Sequence, residues 1–242
     1  MEELFNIVAI DPSLISTAVV ISNGNTLKMY NYCREKDVYG KKGMNKWYKY
    51  AEQYVTYKFV TYREFVDYSE GEMTKLKDYD KITDQIVDDI LANINPNLKT
   101  KIGAEGFNFG AKSGDLLDLV TFSTLLRKKL YDKVSEDITI LSPSTLKLEA
   151  CKLTYQPIIK EIGGKNPRKE YIWKNTFGMP GGSFTKHDMF YSIIENENLN
   201  DEWTNLCRSL KSEIASISKV PKPFEDISDS HILYNVIKKG GI

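Results

Sequence analysis

Apolar positions near the N-terminus fall in short runs that end at polar or turn-forming residues. Residues 5–10 form one such run, which Asp11 and a proline end. This pattern predicts a strand that is buried on both faces. A second run, 17–21, meets the turn pair Asn23–Gly24 and continues over 26–30, which predicts a hairpin with a tight primed turn. We therefore expect the fold to open with two or three antiparallel strands.

The later segments alternate between helical and strand periodicity. The patterns predict strands over 101–105 and 138–141, helices over about 80–93, 114–128 and 224–239, and a mostly helical, lysine-rich region from 144 to about 186. Strands that alternate with helices after an initial hairpin indicate an α/β fold with a mixed sheet. We expect 1–242 to form one domain, with an aromatic and basic insertion at about 34–78 whose aromatic side chains pack against one another or form a DNA-binding surface.

Composition, apolar run length and cysteine spacing indicate the cellular compartment in which we expect the protein. The chain has 242 residues, of which 41% are hydrophobic, enough for a sizeable core. It lacks an apolar run of about 18 residues, the length that spans a bilayer, and its N-terminus does not resemble a secretory signal. Cys33, Cys151 and Cys207 show no CxxC pairing and suggest neither disulfides nor zinc. We expect a cytoplasmic protein without a membrane partner.

Net charge limits how the chain could bind nucleic acid. Its 33 basic and 33 acidic residues cancel, whereas DNA-binding domains are usually basic. A DNA site would therefore be a local basic patch. The lysine-rich region 144–186 is such a patch, although runs of charge are often only solvated faces.

Four acidic residues form the most informative constellation. Asp11 and Glu105 end apolar strands, where an ionised carboxylate carries a desolvation cost. Two Mg2+ ions about 4 Å apart, held by three or four carboxylates, would compensate for that cost and could activate water for phosphodiester cleavage. Asp226 and Asp229 are spaced to share the buried face of the last helix with Leu233. The alternative is that Asp226 caps the helix and Asp229 is an exposed first-turn acid.

These motifs together resemble those of RuvC-type Holliday-junction resolvases. Residues 7–13 followed by Thr17 are similar to the family's first strand, with its Asp-Pro-Gly/Ser, although the glycine that follows the threonine in the family is missing. Glu105, followed by an aromatic-rich loop and a long helix, resembles the second acidic motif. Asp226 and Asp229 match the family's Asp/His-x-x-Asp at the start of its last helix.

The resemblance implies a fold and an activity. The fold would be RNase H-like, with a mixed five-stranded sheet whose first three strands are antiparallel, flanked by helices and interrupted by the insertion. The activity would be cleavage of four-way (Holliday) or other branched DNA by a structure-specific endonuclease with two Mg2+ ions, for which Mn2+ can substitute. It implies a homodimer, for which the apolar helix Leu116–Leu130 is the interface we expect. The composition would fit a phage or viral resolvase acting in a bacterial or virus-infected cell.

The same resemblance assigns roles to basic and aromatic residues. Pro143–Lys147 resembles a lysine-bearing family segment, so Lys147 is expected to act on the scissile phosphate beside the catalytic and metal-binding acids Asp11, Glu105, Asp226 and Asp229. Aromatic side chains after Glu105 could stack on bases, or could pack beneath the next helix. The expected DNA-binding residues are Phe107, Phe109, Lys112, Lys147, Lys165, Arg168 and Lys169. We expect surface roles for the two histidines, His187 and His231.

Other functions remain open on the sequence alone. A nuclease of the same fold could act on flaps or RNA–DNA hybrids. An actin-like ATPase or sugar kinase also opens with a strand and an acidic residue, but it needs a second phosphate loop of the Asp-x-Gly type, which we do not find. A DNA-binding module that has lost catalysis is disfavoured by the retention of all four acids.

Overall fold

A computed structural model describes residues 4–107, 115–164, 167–173 and 184–240. Its strands are β1 (Asn6–Asp11), β2 (Ser16–Ser22), β3 (Leu27–Cys33), β4 (Tyr39–Gly40), β5 (Gly43–Met44), β6 (Val55–Phe59), β7 (Thr100–Glu105), β8 (Ile138–Leu141), β9 (Ile158–Ile162) and β10 (Arg168–Ile172). Its helices are α1 (Glu35–Val38), α2 (Lys46–Ala51), α3 (Tyr68–Leu91), α4 (Asp115–Lys133), α5 (Pro143–Thr154), α6 (Lys186–Glu195), α7 (Glu202–Ser209), α8 (Lys211–Ala215) and α9 (Phe224–Lys238).

The main sheet is mixed and, within the described ranges, has six strands in the order β6-β3-β2-β1-β7-β8. The first three strands pair antiparallel, as predicted, whereas β7 runs parallel to β1 and β8 parallel to β7. This arrangement confirms the predicted RNase H-like fold class. The sheet has one strand more than the predicted five, because β6 from the 34–78 region pairs parallel with the edge strand β3.

Two helical layers cover the sheet, and strand alternation decides which residues face each layer. In β1, Val8 and Ile10 pack with α3 and α4, whereas Ile7 and Ala9 belong to the core on the α9 side. Because successive side chains in a strand point to opposite faces, Asp11 follows Ile7 and Ala9 towards the α9 side. The same rule places Glu105, two residues after Gly103 of β7, on that side.

Gly103 in β7 allows α9 to approach the sheet closely. An added Cβ there would lie 2.9 Å from Cγ1 of Ile237 and 3.0 Å from Cγ of Leu233. Gly103→Ala should therefore lower the free energy of unfolding by about 1–3 kcal/mol through overpacking, as measured by urea denaturation. Gly40→Ala is the matched control, since a Cβ at that position meets nothing within 4 Å. Equal stability of the two variants would contradict this packing.

The hairpin between β2 and β3 differs from the predicted tight primed turn. Ser22 pairs with Leu27, so four residues connect the strands. The side-chain Oδ1 of Asn23 accepts hydrogen bonds from the backbone N–H groups of Asn25 and Thr26, at 3.2 and 3.0 Å. Asparagine side chains often replace a backbone acceptor in this way, and here the result is a wider loop.

The 34–78 region is partly insertion and partly helix. Helix α3 begins at Tyr68, well before the predicted start near residue 80. Asp67 caps this start, since its side chain accepts a 2.9 Å hydrogen bond from the Glu70 backbone N–H. The preceding residues form α1, the short β4–β5 pair, α2 and β6.

The prediction of a mostly helical region over 144–186 is wrong over 158–162 and 168–172. Helix α5 is followed by strands β9 and β10, which pair antiparallel with each other and not with the main sheet. Ile158, Ile159 and Ile162 supply the β-branched side chains that favour a strand there.

The three cysteines are free and buried. Among the described helices, none has both the length and the apolar character needed to cross a membrane.

Candidate metal centre

Three carboxylates from separate parts of the chain converge at one end of the sheet. Asp11 ends β1 and Glu105 ends β7, and the parallel register that aligns Ile10 with Ala104 sets these two acids side by side. Asp229 reaches the same point from α9, which packs across both strands. One carboxylate oxygen of each acid lies within 4.8 Å of those of the other two. The geometry is that of a cation site built from oxygen ligands.

Without a cation, burial and mutual repulsion make ionisation of these three carboxylates unfavourable. Burial, together with the charge of Glu105, raises the pKa of Asp11 well above its usual value. Burial and the charge of Asp229 raise the pKa of Glu105. Burial raises the pKa of Asp229 to about 7, although Lys186 opposes the rise. At neutral pH these groups therefore favour either a proton or a bound cation.

Lys186, the first residue of α6, places an ammonium group against this cluster. Its Nζ forms an ion pair with Asp229, whose side chain is 3% exposed. Burial alone would lower the pKa of Lys186, but the charges of Asp229, Asp11 and Glu105 raise it above its ordinary value. Lys186 thus supplies part of the positive charge that the carboxylates require.

Replacing Lys186 with glutamine should make the protein less stable without metal and more responsive to Mg2+. Loss of one partner from a buried ion pair costs about 3–5 kcal/mol, and we expect about 1–2 kcal/mol because the Lys186 side chain is 40% exposed. Mg2+ would then meet a more negative site. Thermal unfolding with and without Mg2+ measures both effects, and Lys219→Gln is the surface control. If Mg2+ raises the unfolding temperature of the variant by less than it raises that of the unaltered protein, this view is contradicted.

Asp226 is buried, as Asp229 is, but it has different partners. Its Oδ2 accepts a 2.5 Å hydrogen bond from Ser16 Oγ, and its Oδ1 lies 3.2 Å from Lys222 Nζ. Asn31 donates to Ser16 at 2.9 Å and extends the network across β3. The structure therefore brings Asp11, Glu105 and Asp229 together and holds Asp226 above the neighbouring strands. It is not the helix cap, since Pro223 occupies that position.

Helix α9 is fixed by polar contacts on both sides of Asp229. Ser230 Oγ accepts from the Asp11 backbone N–H and donates to the Ala18 carbonyl oxygen, both at 3.1 Å. His231 is fully buried and its Nε2 lies 3.1 Å from Asp201 Oδ2. The expected surface role for His231 is wrong, because the sheet, α5 and α6 pack around α9, and Trp203 of α7 stacks on Phe224 of α9.

Lys147 and Phe107 lie near the cluster, as the sequence suggests. Lys147 in α5 is close enough to Glu105 that its charge opposes the rise in the Glu105 pKa. The Phe107 ring lies 4.5 Å from the guanidinium carbon of Arg127, a residue of α4. Arg127 also donates from Nη2 to the carbonyl oxygen of Glu105 at 3.0 Å. Phe107 therefore contacts α4, the helix that follows it, as the packing alternative expects, and its side chain is half-buried beside the strand end.

The remaining predicted DNA-binding residues are either on the β9–β10 hairpin or beyond the described ranges. Arg168 and Lys169 are exposed and adjacent in β10, so they point to opposite faces of the hairpin. Lys169 stands opposite Glu161 across the hairpin. The positions of Phe109, Lys112 and Lys165 lie outside the described residues.

Sequence reasoning did not single out Lys186, Arg127 or Ser16. A local signal existed for Lys186, because Thr185 and Asp188 form a capping box that fixes the start of α6. Arg127 and Ser16 act through contacts between residues distant in sequence, and no short motif marks them.

The donor set fits a hard divalent cation. Mg2+ and Mn2+ favour carboxylate oxygens, and three converging carboxylates supply both the ligands and the negative charge. Their raised pKa values follow from the same surroundings that would make cation binding favourable. Asp11, Glu105 and Asp229 are the residues that would hold the ion.

Comparison with known proteins gives distant structural matches. No protein-family model matches the chain, and no curated protein matches it. The chain is similar to RuvC of Thermus thermophilus, with 8% identity, coverage of 98% of both chains and a TM-score of 0.43. For T. thermophilus RuvC in complex with Holliday junction substrate, the identity is 6%, the coverage 98% of this chain and 97% of that chain, and the TM-score 0.42. A Ppx/GppA phosphatase of Aquifex aeolicus, at 12% identity, covers 89% of this chain and 65% of its own, with a TM-score of 0.26.

Proposed function

We propose that this protein is a metal-dependent endonuclease that hydrolyses phosphodiesters in branched DNA. The observation that carries the proposal is the convergence of Asp11, Glu105 and Asp229, which are half-buried to buried and have carboxylate oxygens within 4.8 Å of one another. A purely structural role would not explain three mutually repelling carboxylates in one buried position. Divalent ions bound there would lower the pKa of a water molecule and offset negative charge on the leaving oxygen.

The residues around the carboxylates have separate tasks in this proposal. Asp11, Glu105 and Asp229 are the principal ligands, and their fixed positions on strand ends and a packed helix orient the reacting groups. Lys147 and Lys186 lie at the edge of the cluster, where an ammonium group can contact the scissile phosphate or its neighbour. Asp226 assists through its link to Ser16, which fixes α9 against β2.

Branched DNA is proposed as the substrate because the acidic motifs resemble those of RuvC-type resolvases in order and spacing. Exposed basic residues lie on β9–β10, where Lys160, Arg168 and Lys169 could contact backbone phosphates on different faces of the hairpin. Phe107, whose ring contacts Arg127, would stack against a base near the cut.

We further propose that 1–242 acts as one nuclease domain with an insertion, and that two copies assemble for paired cleavage. In α4, Phe122 and Leu126 are buried against the sheet, but Leu117 is 77% exposed. This free apolar surface lies on the helix that we expect at the dimer interface. A symmetric dimer would place two identical sites on the two sides of a four-way junction.

Incubation of the purified protein with synthetic DNA tests these proposals directly. Four-way junctions, flaps, linear duplexes and RNA–DNA hybrids are compared with and without Mg2+, and the nicks are mapped. Paired symmetric nicks in the junction alone support the proposal. Preference for hybrids or flaps would move the protein to another nuclease class, and metal-independent cleavage or hydrolysis of ATP without DNA cleavage would refute the proposed mechanism.

A further inference from the structure

A cavity of about 460 Å3 opens beside the loop that links β1 to β2. Its lining includes Ser13, which lies two residues after Asp11, so about 7 Å of chain separates the cavity from the carboxylate-bearing residue. Tyr62 forms part of the wall and donates a 2.6 Å hydrogen bond to the Leu14 carbonyl oxygen. The cavity therefore borders the loop that follows Asp11, and it lies on the α3 and α4 side of the sheet.

Phe65 stands at this cavity as an exposed aromatic side chain with a fixed position. It is 47% exposed, although free phenylalanine rings usually avoid solvent. Its ring packs on Gly71 of α3, where an added Cβ would come within 2.7 Å of ring atoms Cδ2 and Cε2. Lys75 Nζ lies 5.9 Å from the ring centroid. Gly71 and Lys75 thus hold the ring in place, and about half of the Phe65 side chain remains accessible to a partner.

The charges at the cavity are paired with carboxylates, which disfavours an isolated anion as the ligand. Arg34 binds Asp37 at 2.8 Å, and Lys75 lies 3.0 Å from Asp118. Arg63 binds a buried carboxylate of α3 at 2.6 Å. What remains is an apolar, aromatic surface with polar groups at its edge, the chemistry that accepts a flat heteroaromatic ring.

We propose that this cavity binds an unstacked nucleobase of the DNA substrate, with Phe65 as its stacking partner. The inference rests on the proposed nuclease function and deepens it, because the base would belong to the strand whose phosphate lies at Asp11. Bases at a branch point are already partly unpaired, so extrusion there costs less than from a continuous duplex. Stacking on an aromatic ring accepts any base and favours unpaired DNA over intact duplex.

The first part of the test uses short DNA and requires no cleavage. A thymidine tetranucleotide and its abasic counterpart are titrated by NMR into the full-length protein and into two variants, Phe65→Ala and Tyr68→Ala. Tyr68 is the matched control, since it is 80% exposed, lies three residues away and does not line the cavity. We expect base-dependent binding to the unaltered protein and to Tyr68→Ala, and its loss in Phe65→Ala.

The second part uses four-way junctions carrying single abasic sites near each nick. Phe65→Ala should bind the intact junction about tenfold more weakly than the unaltered protein. An abasic site at the extruded position should weaken binding to the unaltered protein by a similar factor and have no further effect on the variant. Gly71→Ala, which displaces the ring, should reproduce the loss.

The outcomes separate this inference from the nuclease proposal. Normal junction cleavage together with equal affinities for Phe65→Ala and Tyr68→Ala would overturn the base site and leave the nuclease assignment intact. A change of oligomeric state in Phe65→Ala, measured by sedimentation with DNA affinity unchanged, would mean that a second copy covers the cavity and would also overturn it. Base-dependent binding of the tetranucleotide at Phe65 without any cleavage of DNA would support the base site and reject the nuclease.

Discussion

Replacing Asp11 with asparagine should lower Mg2+-dependent cleavage by more than about a hundredfold and leave junction binding nearly unchanged. Loss of a group that only orients a metal ligand costs about 10–100-fold, so the loss of a direct ligand should exceed that range. Asparagine has nearly the same shape and keeps the backbone N–H that donates to Ser230. Steady-state cleavage of a labelled junction, with affinity measured separately in Ca2+, gives both quantities.

Asp137→Asn is the control for this substitution. Asp137 is exposed and precedes β8, remote in sequence from the carboxylate cluster. The change in charge is identical, so a general effect on DNA attraction would appear in both variants. Full cleavage by Asp11→Asn would refute the metal-centre assignment, and a parallel loss of binding would show that the substitution had damaged the fold.

Without metal, the protein should lose stability as pH rises from about 4 to 7, and Mg2+ should restore it. The pKa of Asp229 is about 7 in the folded protein and 3.8 ordinarily, so over this window the folded state binds more protons than the unfolded state. At 1.36 kcal/mol per unit, the loss is up to about 4 kcal/mol. Asp11 and Glu105 shift in the same direction. The raised pKa of Lys186 matters only above its usual 10.5, outside the window.

Thermal unfolding at pH 5 and pH 8, with and without Mg2+, measures this linkage. At pH 8 Asp229, whose pKa in the folded protein is about 7, is mostly ionised, and free Mg2+ at 100 times its dissociation constant should add about 2.7 kcal/mol. At pH 5 protons compete for the same oxygens, so the gain should be much smaller. Asp229→Asn should flatten the pH dependence. An equal gain from Mg2+ at both pH values would show that the ion binds elsewhere.

The sequence predicted the parts of the centre that depend on strand ends. Asp11 and Glu105 are visible as acids that end apolar runs, because burial of a strand and termination by a polar residue are both local properties. Periodicity alone did not reveal that both side chains face α9, since that depends on which helical layer covers which face. Gly103 in β7 is the position at which α9 approaches the sheet closely, and it identifies the face that α9 covers.

Features that depend on tertiary contacts were not predictable. Asp226 and Asp229 share a spacing typical of one helix face, yet Ser16 from β2 and Lys222 bind the first acid, and Lys186 from α6 binds the second. Strand β6 was hidden within an aromatic segment because its pairing partner, β3, lies more than twenty residues earlier in the chain.

The contact between Arg127 and the carbonyl oxygen of Glu105 ties the end of β7 that bears Glu105 to helix α4. In the proposed dimer, α4 of one protomer would rest on α4 of its partner. A shift of this helix when one site engages DNA would be transmitted through the guanidinium group to a ligand of its own metal centre, and through the helix pair to the other. The interval between the two nicks would then depend on the assembly as a whole, and Arg127 would be one contact through which α4 reaches Glu105.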